Sequence, residues 1–131
     1  MILKNKKFII SAAGDGIGLT ISKLIVAEGG KVYLTDINLK KINKIKNNKK
    51  FNNKIFATQL DANNYENVKK YFLTLNKITK IDGLINNVGI AGPTKFLEKI
   101  SDDEWKNTIE TNLNTHFYFS KFSIPLLKKN K

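Results

Sequence analysis

The chain has 131 residues, 23 of them basic and 11 acidic, a formal net charge of +12 and no cysteine. This length allows a single domain with a real core, and the absence of any run of 18 apolar residues predicts that nothing spans a membrane. Without cysteine there is no disulfide framework or thiolate metal site, and a single histidine, His116, argues against a histidine-based metal site.

The first residues lack the long apolar region and cleavage site of a signal peptide, so we expect a cytoplasmic protein. The positive charge raises the possibility of nucleic-acid binding. However, every basic residue is lysine, whereas arginine is the favoured reader of phosphates and bases. The densest lysine run, residues 40–54, is better interpreted as a solvated helix and loop, and we predict no nucleic-acid partner.

Residues 8–10 predict a short buried strand, followed by a turn of small residues and then a helix. Glycine lets the backbone of such a turn approach a ligand closely, and a helix N-terminus offers N–H groups to a phosphate. The apolar face of this helix is predicted at four positions with helical spacing: Ile17, Ile21, Leu24 and Ile25.

A second buried strand, residues 32–36, ends in Asp36, which could accept hydrogen bonds from a ribose hydroxyl of a dinucleotide. The literal G-x-G-x-x-G pattern is broken, because Leu19 occupies the place of its third glycine. A glycine-rich turn that only links strand and helix is the alternative. With Asp36 in place, nucleotide binding is the prediction that we favour.

The pattern then continues to alternate. A basic helix carries Ile42 and Ile45 on one side, and residues 54–59 form a third strand. Asn63 or Asn64 caps a third helix. The apolar stripe of that helix is predicted at Val68, Tyr71, Phe72 and Leu75.

A fourth strand begins at residue 82 and runs into a polar turn over residues 86–89. Residues 101–104 form a capping box, and a long helix is predicted from there to about Leu127. Its buried side is predicted at Trp105, Ile109, Leu113, Phe117 and Leu127.

Alternating strands and helices predict an α/β fold, a Rossmann-type doubly wound parallel sheet with strand order 3-2-1-4, formed as one domain by residues 1–131. Ligands of such sheets bind at the carboxyl ends of the strands. The glycine turn, Asp36, Asp61 and residues 86–89 all follow strand ends. We therefore expect these four polar segments to meet at one edge.

At these segments the chain resembles the N-terminal half of a classical short-chain dehydrogenase/reductase. Residues 11–18 (S-A-A-G-D-G-I-G) stand for T-G-x-x-x-G-I-G, and residues 86–89 (N-N-V-G) stand for N-N-A-G. Residues 110–113 (E-T-N-L) stand for the segment with the family's catalytic asparagine. Two residues depart from these patterns: Ala12 replaces the first glycine of T-G-x-x-x-G-I-G, and Val88 replaces the alanine of N-N-A-G.

The resemblance implies that the turn holds the adenosine ribose and pyrophosphate, that Asp36 holds the ribose hydroxyls, and that Asp61 and Ala62 meet the adenine. It implies NAD rather than NADP, because Asp36 would repel a 2′-phosphate. The implied cofactor-binding residues are Ser11, Gly14, Asp15, Gly16, Ile17, Gly18, Asp36, Ile37, Asp61, Ala62, Asn87 and Gly89.

Asn112 is the catalytic residue that the resemblance implies, holding a water of a proton relay. From spacing alone, a core asparagine tied to a neighbouring backbone is an equal alternative. His116 is interpreted as packing or interface rather than chemistry, and the aromatic residues 117–122 as core and subunit interface. A homo-oligomer acting on a small carbonyl or alcohol substrate is implied for the full-length form.

The sequence ends after the fourth helix, before the family's catalytic serine and Y-x-x-x-K segment. We therefore expect an NAD(P)-dependent oxidoreductase by resemblance whose 131-residue chain alone is inactive. The alternative is a non-catalytic nucleotide-binding remnant of such an enzyme. We also expect self-association through an open edge at strand 4 and through the aromatic surface of the last helix.

Overall fold

The computed structural model describes residues 1–78 and 80–128. Within these ranges a four-stranded parallel sheet has the order β3-β2-β1-β4, as the sequence predicts. The strands are β1 (Lys7–Ile10), β2 (Lys31–Asp36), β3 (Ile55–Gln59) and β4 (Gly83–Ile85). The helices are α1 (Gly16–Ala27), α2 (Leu39–Lys46), α3 (Tyr65–Ile78), α4 (Asp102–Ile109) and α5 (Thr115–Lys128).

The register of the sheet brings the strand ends to one edge. Ile10 at the end of β1 pairs with Leu34 of β2 and Ile85 of β4, and Asp36 pairs with Gln59 of β3. The segments that follow the strands therefore emerge side by side, where ligands of open α/β sheets bind.

Two apolar layers cover the faces of the sheet, because each crossover helix turns one stripe towards it. The layer under α1 and α2 contains buried residues Ile10, Ala13, Ile25, Val32, Leu34, Ile42, Ile45, Ile55 and Ala57. The layer under α3 and α5 contains buried residues Ile9, Leu60, Val68, Phe72, Leu75, Ile81, Phe119 and Leu126. The predicted inner faces of α2 and α3 are confirmed.

Both predicted helix starts are confirmed by side-chain caps. Asn64 precedes α3, and its Oδ1 accepts a hydrogen bond of 3.0 Å from the backbone N–H of Asn67. Ser101 and Glu104 form the capping box of α4, with both of its reciprocal bonds present. These local signals act within one turn, which is why the sequence reveals them.

The predicted inner face of α1 is confirmed at Ile21 and Ile25, which pack in the core, and is wrong at Ile17 and Leu24. Ile17 and Leu24 are 74% and 62% exposed, whereas Gly18, Ser22 and Ile25 are buried. The helix packs through small residues because Gly18 lies against Ala13. The Ser22 hydroxyl bonds the Gly18 carbonyl at 2.8 Å, so its burial leaves no polar group unpaired.

The predicted buried side of the last helix is confirmed at Leu127, which packs against the core, but is wrong at three other positions. Trp105, Leu113 and Phe117 are more than half exposed, at 56%, 60% and 59%. The buried positions are Thr111, Thr115, Phe119, Ser123 and Leu126. Buried threonine and serine are tolerated here because they bond to carbonyls of their own helix, as Thr115 Oγ1 does to Thr111 at 2.6 Å.

The last helix is not one regular α-helix. Residues Glu110–Asn114 form a π-helical segment between α4 and α5. The wider turn shifts the phase of the side chains that follow it, so a uniform period of 3.6 residues assigns the wrong face. Such segments occur mostly as single turns and frequently at functional sites.

Candidate functional site

The turn between β1 and α1 is bonded to the end of β2. The backbone N–H of Gly14 donates to Asp36 Oδ2 at 2.8 Å. A Cβ atom on residue 14 would lie 2.6 Å from that oxygen, a distance that real Cβ contacts do not reach. Glycine at this position therefore allows the turn and the carboxylate to meet.

Asp36 is 7% exposed, and both oxygens of its carboxylate accept a backbone hydrogen bond. Oδ1 accepts from the N–H of Asn38 at 2.9 Å, and Oδ2 accepts from Gly14. A carboxylate has about four acceptor sites. The group is thus held in place with acceptor capacity left for a hydroxyl.

Asp15 directly precedes α1 but makes no side-chain cap of that helix. Its carboxylate lies 2.6 Å from Lys41 Nζ, and this hydrogen bond raises the pKa of Lys41. The pair is well exposed, so it adds little stability. Its consequence is local: the first N–H groups of α1 have no carboxylate cap, and the ammonium of Lys41 is paired with Asp15.

Asn87 joins the turn to the segment after β4. Its Nδ2 donates to the Ala12 carbonyl at 2.9 Å, and its backbone N–H donates to Ser11 Oγ at 2.9 Å. A Cβ on Gly18 would lie 2.7 Å from Asn87 Nδ2, so α1 also packs against this amide. Ser11, Gly18 and Asn87 therefore form one packed unit at the strand ends.

A cleft of about 370 Å³ opens at this edge of the sheet. Five of the residues predicted from the sequence line it: Asp36, Ile37, Asp61, Ala62 and Gly89. Ala12 lines it from the glycine turn, where Gly16 has a φ of +53°. The predicted convergence of the four polar segments is thus present in the fold.

The lining residues that were not predicted as site residues include the polar side chains of Asn63, Asn107 and Thr111. Asn63 Nδ2 donates to Thr111 Oγ1 at 3.3 Å, which connects the end of β3 to the π-helical segment. Thr111 lies next to Asn112 in the segment E-T-N-L, and this position in the motif could have identified it as a site residue. Asn107 carries no sequence signal, because only the packing of α4 over the cleft brings it there.

Asn112 lies in the π-helical segment and does not itself line the cleft. Its Oδ1 accepts from the backbone N–H of Ile90, and its Nδ2 donates to the Ile90 carbonyl, both at 2.8 Å. The amide is therefore tied to a neighbouring backbone, as one of the two interpretations of the sequence proposed. A catalytic role for Asn112 stays a prediction.

A wider, open groove of about 670 Å³ lies between α3 and the β2–β3 face of the sheet. It shares Ile37, Leu60 and Asp61 with the cleft but does not reach the glycine turn or Asp36. The smaller cleft is the candidate site, because Ala12 of the glycine turn and the positioned carboxylate of Asp36 both line it.

The strand order and the position of the cleft define a Rossmann-type α/β domain. The family model described as "short chain dehydrogenase" matches residues 6–131. The chain belongs to the short chain dehydrogenase family, whose members use NAD(P) cofactors.

Individual relatives agree with this assignment. The chain is 27% identical to 3beta-hydroxysteroid dehydrogenase of Mediterraneibacter gnavus, over 94% of this chain and 45% of that protein. It is 29% identical to meso-2,3-butanediol dehydrogenase of Serratia marcescens, over 100% of this chain and 52% of that protein. The chain thus spans about half the length of the curated relatives that it matches.

Solved structures show the same relation. Aldohexose dehydrogenase of Thermoplasma acidophilum is 30% identical with a TM-score of 0.81, over 97% of this chain and 46% of that one. A short-chain dehydrogenase/reductase of Brucella melitensis is 27% identical with a TM-score of 0.85, over 96% and 54%. Across residues 1–78 and 80–128, none of the helices combines the length and the apolar character needed to cross a bilayer.

Proposed function

We propose that this chain is the cofactor-binding half of an NAD(P)-dependent oxidoreductase, which transfers hydride between a nicotinamide and a carbonyl or alcohol. The observation that carries the proposal is the bond between the Gly14 N–H and Asp36, which sets a carboxylate beside a glycine turn at the edge of the cleft. The relatives named above are dehydrogenases of alcohols, which supports an alcohol or carbonyl as the substrate class.

The residues of the turn fit a dinucleotide, because glycine at positions 14 and 18 lets the turn pack closely against Asp36 and Asn87, whereas a Cβ on Gly16 would meet nothing within 4 Å. In the proposal the turn, with Ser11, Gly14, Asp15, Gly16, Ile17 and Gly18, faces the pyrophosphate and adjoining ribose. The hydroxyls of that ribose donate to Asp36, and the adenine contacts Ile37, Asp61 and Ala62. Asn87 and Gly89 border the remaining length of the cleft. The bound cofactor supplies or accepts hydride.

NAD is the cofactor that the electrostatics favour. The buried carboxylate of Asp36 accepts hydrogen bonds and would repel a 2′-phosphate. Of the two lysines in the first turn of α2, Lys40 and Lys41, the second is paired with Asp15 and is not directed towards a 2′-phosphate. Both features favour a free ribose hydroxyl over its phosphate ester.

Titration of the chain with NADH and with NADPH, followed by nicotinamide fluorescence, tests the proposal. We expect tighter binding of NADH and a smaller preference in Asp36→Asn. Asp82→Asn is the matched control. The part-buried carboxylate of Asp82 also accepts a backbone hydrogen bond, from the N–H of Lys7 at 2.9 Å, but it lies at the opposite edge of the sheet. No binding of either nucleotide, or an equal effect of both substitutions, would contradict the proposal.

We also propose that residues 1–131 alone show no dehydrogenase turnover, because hydride transfer needs a proton donor held against the substrate. The amide of Asn112 cannot serve as that acid and is engaged by Ile90. Turnover of a secondary alcohol by the purified chain, lost in Asn112→Ala, would contradict this. The alternative is that the chain is a non-catalytic remnant of such an enzyme, which binds the nucleotide but catalyses no reaction.

Homo-oligomer formation is part of the same proposal and rests on the outer side of the last helix. Trp105, Leu113, Phe117 and Ile124 are exposed large apolar residues spread along it. In the proposal these residues form the subunit interface, because exposed apolar patches mark sites of protein–protein interaction. A cytoplasmic location is also part of the proposal, and fractionation of the source cells tests it.

A further inference from the structure

Three side chains on one side of the last helix bond to alternate residues of the segment after β4. Asn112 bonds the Ile90 backbone at 2.8 Å. His116 Nε2 lies 2.7 Å from the Val88 carbonyl oxygen. Asn86 Nδ2 donates to Ser120 Oγ at 3.0 Å. We call these three contacts the polar ladder.

The ladder has a simple geometric basis. From residue 116 to residue 120 the α-helix advances about 6 Å, and two residues of extended chain advance about 6.6 Å. Side chains at residues 112, 116 and 120 therefore keep step with residues 90, 88 and 86 when the two segments run in opposite directions. The helix and the segment after β4 are matched along their contact.

Two of the three contacts reach the cleft, those of His116 to Val88 and of Asn112 to Ile90, and His116 is the one whose bond goes to the start of the lining segment. Val88, Gly89 and Ile90 line the cleft, whereas Asn86 does not. A carbonyl oxygen can only accept, so the Nε2 of His116 carries the proton in this contact. His116 is half-buried and contacts residues 88–90, which we call the cleft wall, from the side of the last helix.

We propose that His116 is a positioning residue: its bond to the Val88 carbonyl holds residues 88–90 in the conformation that lines the cofactor cleft. This rests on the proposed function for the nature of the ligand. If the bond is lost, the wall occupies other conformations for part of the time. The apparent affinity then falls by the fraction of time for which the binding conformation is present.

The test compares His116→Phe, which removes the donor, with His116→Gln, whose amide N–H can donate to the same carbonyl. Ser120→Ala is the matched control, because it breaks a ladder contact outside the cleft. We expect the Kd for NADH to rise about fivefold in His116→Phe, the factor that corresponds to one neutral hydrogen bond. We expect the Kd for NADH of His116→Gln and of Ser120→Ala to stay within about twofold of the wild-type value.

A second readout needs no cofactor. The amide proton of Ile90 donates to Asn112, so its hydrogen exchange reports how firmly residues 88–90 are held. We expect faster exchange of this proton in His116→Phe but not in Ser120→Ala, after correction for global stability.

The outcomes separate the two proposals. If wild type binds neither NADH nor NADPH, the proposed function fails, and exchange at Ile90 still decides whether His116 holds the segment. If wild type binds but His116→Phe leaves both the Kd and the exchange unchanged, the positioning role is refuted. Equal losses of affinity in His116→Phe and Ser120→Ala would also refute it, because they indicate general destabilisation.

Discussion

Gly14→Ala should destabilise the fold, although position 14 is one of the variable positions in T-G-x-x-x-G-I-G. The added methyl would lie 2.6 Å from Asp36 Oδ2, 2.7 Å from its Cγ and 2.9 Å from Lys41 Cβ. Two of these contacts are to the carboxylate that accepts the Gly14 N–H. The methyl can therefore be accommodated only if Asp36 moves away from that bond and Lys41 also shifts.

The expected cost follows from that choice. Forcing a methyl into packed space costs about 1–3 kcal/mol, and giving up a hydrogen bond to a charged group costs about 1.5–3 kcal/mol. The costs are largely alternatives, since moving the carboxylate relieves the two closest of the three contacts. Replacing glycine also restricts the unfolded chain, which returns about 0.4–1 kcal/mol. We expect a net loss of about 1–2 kcal/mol.

Urea denaturation followed by circular dichroism measures this loss as a lower free energy of unfolding. Gly89→Ala is the matched control, because its Cβ would meet nothing closer than Asn112 Oδ1 at 3.6 Å. The double variant Gly14→Ala/Asp36→Ala should lose less than the sum of the single variants, since the clash needs the carboxylate. Equal stability of Gly14→Ala and Gly89→Ala, or strict additivity, would refute the argument.

Ala12 has a φ of +48°, so Ala12→Gly should raise the free energy of unfolding by about 0.5–1 kcal/mol, whereas Ala13→Gly, at a buried residue without positive φ, should lower it. A loss in both by urea titration would contradict this. Lys95 and the Ser101 cap depress the pKa of Glu104 to about 2. The ionised carboxylate of Glu104 therefore contributes fully to the free energy of unfolding above the unfolded pKa of 4.5, and this contribution is lost as pH falls towards 2. Glu104→Gln should make the free energy of unfolding less dependent on pH in this range. The exposed aromatic side of the last helix should make the chain self-associate, and Phe117→Gln should shift sedimentation towards the monomer. A wild-type chain that sediments as a monomer at all salt concentrations would contradict the last prediction.

Several features of this protein could be predicted from local sequence because they depend on local physics. Alternating apolar runs and turns determined the strands and helices, and the rules for parallel crossovers then led to the order 3-2-1-4. The caps at Asn64 and Ser101 involve atoms within three residues of each other. The convergence of Asp36, Asp61 and Gly89 followed from topology alone, since all parallel strands end at one edge.

The tertiary structure alone decided which helix faces are buried and which polar atoms meet. Apolar spacing placed Leu24 and Phe117 inside, but packing at Gly18 and the π-helical segment turned both outward. Burial of Ser22 and Thr115 depends on bonds to their own helix, which hydropathy does not register. The bonds Gly14–Asp36 and His116–Val88 join residues more than 20 positions apart, so their distances exist only once the sheet has assembled.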